Sequence, residues 1–342
     1  LMGHPAGLFT LFFAEMWERF SYYGMRALLV FYMIKGVLGY GDKEAYAVYG
    51  AYTALVYATP FIGGMLADRL LGTRRAVVVG GLLMAAGHLL MTNENEVAFF
   101  GALSLLIVGN GFFKPNISTI VGSLYPAGSP KRDAGFTIFY IGINLGAALA
   151  PLVCGYVGET FGWHYGFGLA TIGMLIGVAI FVAPSRITQL LILLGALAAA
   201  GSMVAFGLDD TLMLKVYSPV GVALLLAAAV SAVAVGRGGI PAHIGHPKDS
   251  TKLTAAAALG LRTNSVSYYL GVIAMLGALA FAVAPYSTGG YVVAAVGVYA
   301  VLLPWLTGTW AVYAAIACGV PVIAIMVNRS EIAGGVLTVF GL

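Results

Sequence analysis

The feature that most constrains this chain is a succession of apolar stretches, each long enough to cross a bilayer. A spanning helix needs about 20 largely apolar residues. Such runs fall at about residues 8–33, 45–67, 76–92, 97–122, 134–157 and 165–183. Five more follow at about 187–207, 216–236, 267–284, 290–305 and 309–327. The last two share one stretch, divided between Pro304 and Gly308, where Trp305 and Trp310 suit a membrane interface. Only 9% of the 342 residues are charged and 61% are hydrophobic, whereas soluble domains carry about 25% charged residues. So few charges cannot coat a water-soluble surface of this size. The expected fold class is therefore all-α, a polytopic transmembrane helical bundle. The 47 glycines suit close helix contact in lipid. The loops are too short for a soluble catalytic domain.

Loop charges set the orientation. Arg69, Arg74 and Arg75 lie between spans two and three, Lys131 and Arg132 between spans four and five, and Arg186 after span six. The opposite loops carry Lys35, Asp42, Lys43 and Glu44, then Glu94 and Glu96, then Glu159. The Lys/Arg excess alternates, which puts the N-terminus in the cytoplasm and makes the chain multi-pass. The polar stretch 237–266 holds Arg237, Lys248, Lys252 and Arg262 against Asp249 and reads as a linker on the same side. A net charge of +4 does not point to nucleic acid, since positive residues in membrane proteins mark cytoplasmic loops. Residue 1 is Leu, so the natural N-terminus is expected to be missing, and no signal peptide is evident. Cys154 and Cys318 sit in apolar runs and read as small packing residues.

Span one carries charges that a bilayer does not tolerate without cause. Glu15, Glu18, Arg19, Tyr22, Tyr23 and Arg26 are spaced so that they cover an arc of roughly 140° on one helix face. A charge near a helix centre costs about 2.5–3.5 kcal/mol on insertion scales. The stripe must therefore face a water-filled cavity or oppositely charged partners; a purely structural ion-pair network is the blander reading. Span four contributes Lys114 and, directly after it, Pro115, which removes a backbone donor and favours a kink. At about 1.5 Å per residue, Glu15 and Lys114 lie roughly 10–12 Å from the cytoplasmic ends of their spans, so a Lys114 contact to Glu15 or Glu18 is expected. Tyr57 and Asn144 also fall near the midplane; alone, each reads more simply as a helix–helix hydrogen-bond partner.

Buried carboxylates beside Arg and Lys make a proton switch, because desolvation and a nearby cation pull protonation in opposite directions. Arg26 and Lys114 can hold an anionic group, and Tyr22, Tyr23 and Tyr57 offer hydroxyls and flat apolar surface. That set suits a small zwitterion or acid with a variable apolar part. Nothing resembles a GxSxG, HExxH or Walker-type motif, so an enzyme is not expected. His4, His88, His164, His243 and His246 are scattered, and each is expected at an interface or in a loop.

These residues also match a known family in order. The segment ExxERFSYYG (Glu15 to Gly24), followed by Met25 and Arg26, resembles the proton-dependent oligopeptide transporter family of the major facilitator superfamily. So do YGAYTALVYATP (Tyr49 to Pro60), GGMLADRLLGTRR (Gly63 to Arg75), GFFKPN (Gly111 to Asn116) and FTIFYIGINLG (Phe136 to Gly146). Together they cover about residues 3–184. The resemblance implies proton-coupled symport of di- and tripeptides across the inner membrane by alternating access. It implies no cofactor, the proton gradient being the drive, and a peptide, protons and lipid as partners of a monomer. By position it implies proton coupling at Glu15, Glu18 and Arg19, with Lys114 as their salt-bridge partner. Arg26 and Lys114 would attract the peptide carboxylate, while Tyr22, Tyr23, Tyr57, Tyr140 and Asn144 line the pocket. Asp68, Arg69, Arg74 and Arg75 would brace the cytoplasmic gate. Gly50 stands where animal members carry a histidine, which favours the prokaryotic type.

After residue 184 the resemblance fades. Only five spans follow, the seventh-helix and tenth-helix glutamates find no match, Glu331 is the sole acidic residue after Asp249, and 260–308 loosely resembles an inserted helix pair. The expected organisation is an N-terminal six-helix bundle over 1–184 and, over 185–342, an inserted pair with an incomplete or diverged C-terminal bundle. The alternatives left open are the same fold moving another small anion, such as nitrate or a carboxylate, and a truncated, non-transporting member.

Overall fold

A computed structural model describes residues 3–208, 211–246, 272–273, 275–277 and 289–330. Most of the span expected at about 267–284, the charges Lys248, Asp249, Lys252 and Arg262, and the tail with Glu331 lie outside the described residues. No strand occurs among the described residues. The helices are α1 (Ala6–Lys35), α2 (Asp42–Leu66), α3 (Thr73–Leu90), α4 (Glu96–Ser123), α5 (Arg132–Ala150), α6 (Tyr156–Phe161) and α7 (Trp163–Val182). They continue as α8 (Ser185–Gly207), α9 (Thr211–Val235), α10 (Gly289–Leu302) and α11 (Gly308–Asn328). Among the described residues, 7 helices are long and apolar enough to cross a membrane, and the chain is a multi-pass membrane protein. The 30-residue α1 is not one of the 7: at about 1.5 Å per residue it is long enough, but it carries five charges, Glu15, Glu18, Arg19, Arg26 and Lys35.

Two helices contain wider turns that composition alone does not reveal. Ala67–Leu71 continues α2 as a π-helix and ends at Gly72, whose N–H bonds the Ala67 carbonyl at 2.8 Å. Gly72 has φ 82°, a conformation that disfavours a side chain, and it turns the chain into α3. Pro151–Gly155 joins α5 to α6 as a second π-helical stretch. Pro151 has no N–H to give the preceding turn, and the ladder re-forms with a longer repeat. Gly162, with φ 126°, then separates α6 from α7. Among the spans expected from sequence, the division between Pro304 and Gly308 is observed: a 3₁₀ turn, Leu303–Trp305, parts α10 from α11.

The chain divides into two compact units that interleave along the sequence. The first holds the described residues up to Val37, Met91–Glu94 and Ile117–Ile244. In it α1 packs against both α5 and α7, and α8 packs against α9. Leu8, Leu11, Phe13, Met16, Met25, Leu28, Phe139 and Phe167 are fully buried there, and Tyr32 meets the Phe167 ring edge-on at 5.3 Å. Glycine makes these approaches possible. Gly142 and Gly146 on α5, and Gly173 and Gly177 on α7, are each spaced four apart and abut α1. A Cβ at Gly177 would lie 3.0 Å from the Ala14 carbonyl oxygen, and one at Gly173 2.6 Å from the Phe20 ring. Small residues at this spacing let helix backbones meet, which is how helices associate without a hydrophobic drive in lipid.

The second unit holds Leu38–Leu90, Asn95–Asn116 and the described residues from Gly245 onward. Its core gathers Leu66, Leu70, Leu71, Ala76, Phe112, Leu303, Ala311 and Val312. Here too glycines set the spacing: a Cβ at Gly80 would lie 2.6 Å from the Gly109 carbonyl oxygen, so α3 and α4 are in backbone contact. His88, expected at an interface or in a loop, is fully buried in α3. Its neighbour Gly87 lies against Ala102 and Leu106 of α4, so this face of α3 is sealed by helix packing almost to its end.

Candidate functional site

The first unit carries the charged stripe of α1. Arg19 donates from Nε to Glu15 Oε1 at 2.9 Å, and the same Nε lies 2.6 Å from Glu18 Oε2. All three side chains are buried, Glu18 completely. One cation thus serves two carboxylates on a single helix. The sequence left open a water-filled cavity or oppositely charged partners; one opposite charge, Arg19, comes from within α1. The i, i+4 spacing of Glu15 and Arg19 makes the first contact local to the helix, and Glu18 reaches the same group from one residue away. Glu15 Oε2 and Arg19 Nη2 are buried with no hydrogen-bond partner. Such groups are costly in a low-dielectric interior and call for a proton, a water or a moving partner.

The stripe continues along α1. Arg19 lies over the Tyr22 ring at 5.6 Å from its centroid, and Tyr22 meets Tyr23 edge-on at 5.2 Å. Tyr22 is buried, whereas Tyr23 and Arg26 are half-buried. On α5, in the same unit, Tyr140 and Asn144 are exposed, with Asn144 Nδ2 donating to the Tyr140 carbonyl at 3.0 Å. These two residues stand one turn apart, so they share a face of α5.

Lys114 and Tyr57 belong to the second unit. Lys114 Nζ lies 5.1 Å from the centroid of the Tyr57 ring, a cation–π pair between α4 and α2. Tyr57 is 61% exposed and Lys114 half-buried. The pair is framed by two further contacts between the same helices. Thr59 Oγ1 donates to the Ile107 carbonyl at 3.0 Å, and Gly63 abuts the Gly111 carbonyl. Pro115 has no N–H for that Gly111 carbonyl, yet α4 stays helical through it, and the glycine contact comes at the place where the ladder is broken. Asn116 Nδ2 donates to the Phe112 carbonyl at 2.7 Å, giving the weakened turn a second tie.

Asp68 and Arg69 are exposed on the π-helical turn, Arg74 is half-buried and Arg75 exposed at the start of α3. The Arg74 N–H donates to the Gly245 carbonyl at 3.0 Å, so the segment around Gly245 closes over the head of α3. The sequence reading named Tyr140 and Asn144 within their motif but gave no part to Gly142 and Gly146, although their GxxxG spacing was visible. Ser21 and Thr10 of α1, both buried with hydroxyls lacking a hydrogen-bond partner, carried no signal at all beyond being polar in an apolar run.

Comparison with known proteins gives concordant matches. Residues 74–191 match the model of the POT family (PTR2). The chain is 48% identical over 189 residues to the uncharacterized transporter YclF of Bacillus subtilis (strain 168), covering 54% of this chain and 38% of that one. It is 48% identical over 180 residues to a di-/tripeptide transporter of Lactococcus lactis subsp. lactis (strain IL1403), covering 51% of this chain and 36% of that one. A crystal structure of the peptide transporter POT in complex with alafosfalin superposes with a TM-score of 0.53 at 53% identity, over 54% of this chain and 39% of that chain. The chain therefore spans well under half the length of the curated relatives it matches. Its fold is an all-α polytopic bundle of the kind that these transporters of the major facilitator superfamily share. Over the part that these matches cover, the chain is similar to members of the POT family.

Proposed function

We propose that this chain takes part in proton-coupled symport of di- and tripeptides across the inner membrane, with its N-terminus in the cytoplasm. The observation that carries the reading is the arginine of α1 shared by two buried glutamates. Two buried carboxylates that share one arginine are a place where an added proton changes the local charge by one, and with it the need of that charge for water or cations. That is a way to link protonation to helix movement. The 48% identity to a di-/tripeptide transporter supports a peptide as the cargo.

In this reading Glu15, Glu18 and Arg19 carry the proton coupling, and Lys114 is drawn to the carboxylates in one of the conformations. Arg26 and Lys114 take the peptide carboxylate. Tyr22, Tyr23, Tyr57, Tyr140 and Asn144 supply hydroxyls, an amide and ring faces that tolerate many side chains. Asp68, Arg69, Arg74 and Arg75 brace the cytoplasmic gate. No cofactor enters; the drive is the proton gradient, the working form is a monomer, and residues 1–184 act as one bundle against helices drawn from 185–342.

The test is uptake of labelled dialanine by proteoliposomes holding the full chain, with and without an inward proton gradient. Gradient-dependent uptake, competed by other dipeptides but not by nitrate, is expected. Uptake that ignores the gradient, or that nitrate suppresses and dipeptides do not, overturns the proposal.

A further inference from the structure

We propose that Gly146 is a positioning residue for the cluster of Glu15, Glu18 and Arg19, an inference that rests on the proton-coupling reading above. The α5 backbone at Gly146 abuts α1 at Met16 and Arg19. A Cβ there would collide with the Met16 carbonyl oxygen and lie 3.0 Å from Arg19 Cβ. Contacts that close are rare in packed interiors, so an added methyl must move the root of the Arg19 side chain or push α1 away. Arg19 has little freedom to absorb this. Its Nε meets both carboxylates, at 2.9 and 2.6 Å, while Nη2 is buried without a hydrogen-bond partner. A shift of a few tenths of an ångström at Cβ is transmitted to the nitrogen that meets both carboxylates.

The same helix supplies its own control. Gly142 stands one turn earlier on α5 and also abuts the α1 backbone, less tightly, with a Cβ 2.9 Å from the Phe12 carbonyl oxygen and 3.0 Å from the Phe12 ring. That approach touches α1 away from the charges. Gly142→Ala and Gly146→Ala both press on the α1 backbone, the second harder, and only the second meets Arg19.

The experiment compares the full chain with G142A and G146A by two readouts. The first is the pH profile of dialanine uptake, and the second is acid–base infrared titration of the protonated-carboxyl bands that E15Q and E18Q remove. G146A is expected to move the alkaline limb of uptake and the midpoint of those bands together by about one pH unit, as displacing a cation from a carboxylate does. G142A is expected to lower amounts of folded protein and leave both midpoints in place. Equal shifts in the two variants, or none in either, overturn the proposal. R19K keeps the test decisive should G146A fail to fold: if the carboxyl bands titrate identically with lysine at position 19, Gly146 cannot act through that side chain. The infrared readout needs no transport, so a wild-type chain that titrates but takes up no peptide refutes the symport reading and leaves this inference standing.

Discussion

Removing Arg19 alone isolates what the ion cluster does for stability. In Arg19→Gln two buried carboxylates lose their shared cation. Charge centres about 4 Å apart attract by about 4 kcal/mol at the effective dielectric that suits protein sites. Arg19 makes two such contacts, at 2.9 and 2.6 Å between nearest atoms. The repulsion between the two carboxylates is present with and without Arg19 and so does not reduce that loss; the cost of burying the ions does, and breaking a buried pair by deleting one partner costs about 3–5 kcal/mol. R19Q is therefore expected to lose about 3–5 kcal/mol at neutral pH, measured by reversible unfolding in mixed micelles. The neutral triple variant E15Q/E18Q/R19Q is expected to recover most of that loss, because amides of similar shape leave no uncompensated charge. A cost below about 1 kcal/mol for R19Q, in the range of an exposed pair, refutes the reasoning. So does a triple variant no more stable than R19Q.

Two further outcomes follow from other contacts. Tyr57→Leu removes the ring under Lys114 and is expected to weaken dipeptide binding by about two- to five-fold, the worth of one cation–π contact, while Tyr57→Phe keeps most of it; equal losses in both variants, read by calorimetry, would assign the role to the hydroxyl instead. At the N-terminal end, His4 Nδ1 lies 2.8 Å from Tyr125 Oη, and burial, then Lys131, hold the imidazole below its ordinary value. The neutral ring is thus favoured in the folded chain, so the contribution of this contact is full above the unfolded value of about 6.5 and is lost as pH falls through the folded one. Lys131→Gln is expected to raise the His4 midpoint, followed by its ring proton resonance, and an unmoved midpoint would remove Lys131 from the account.

How much of this was legible in the sequence depends on which physical signal was strong. Apolar length marks spans, and the break at Pro304 to Gly308 was readable because Pro and Gly act locally. The charged face of α1 was readable because helical periodicity is a property of the sequence itself. That Arg19 would bridge Glu15 and Glu18 within one helix was not, since rotamers are chosen by packing. Gly146 lets α5 come close to that side chain, and no count of residue types predicts it. The π-helical turns at Ala67–Leu71 and Pro151–Gly155 were likewise hidden, because they answer a local mismatch in the hydrogen-bond ladder. His88, expected at an interface or in a loop because the histidines are scattered, is instead buried in α3, whose neighbouring Gly87 abuts α4. The roles of Lys114, Arg26 and the tyrosines were read from their chemistry and then from resemblance, and transport assays test them.

The central claim is that protonation of the α1 cluster drives peptide movement. The direct measurement compares accumulation of labelled dialanine against its own gradient by the wild-type chain and Glu18→Gln, in proteoliposomes with an inward proton gradient. The account predicts accumulation by the wild type, and for E18Q only exchange of internal for external peptide without accumulation. Equal accumulation by E18Q would contradict it.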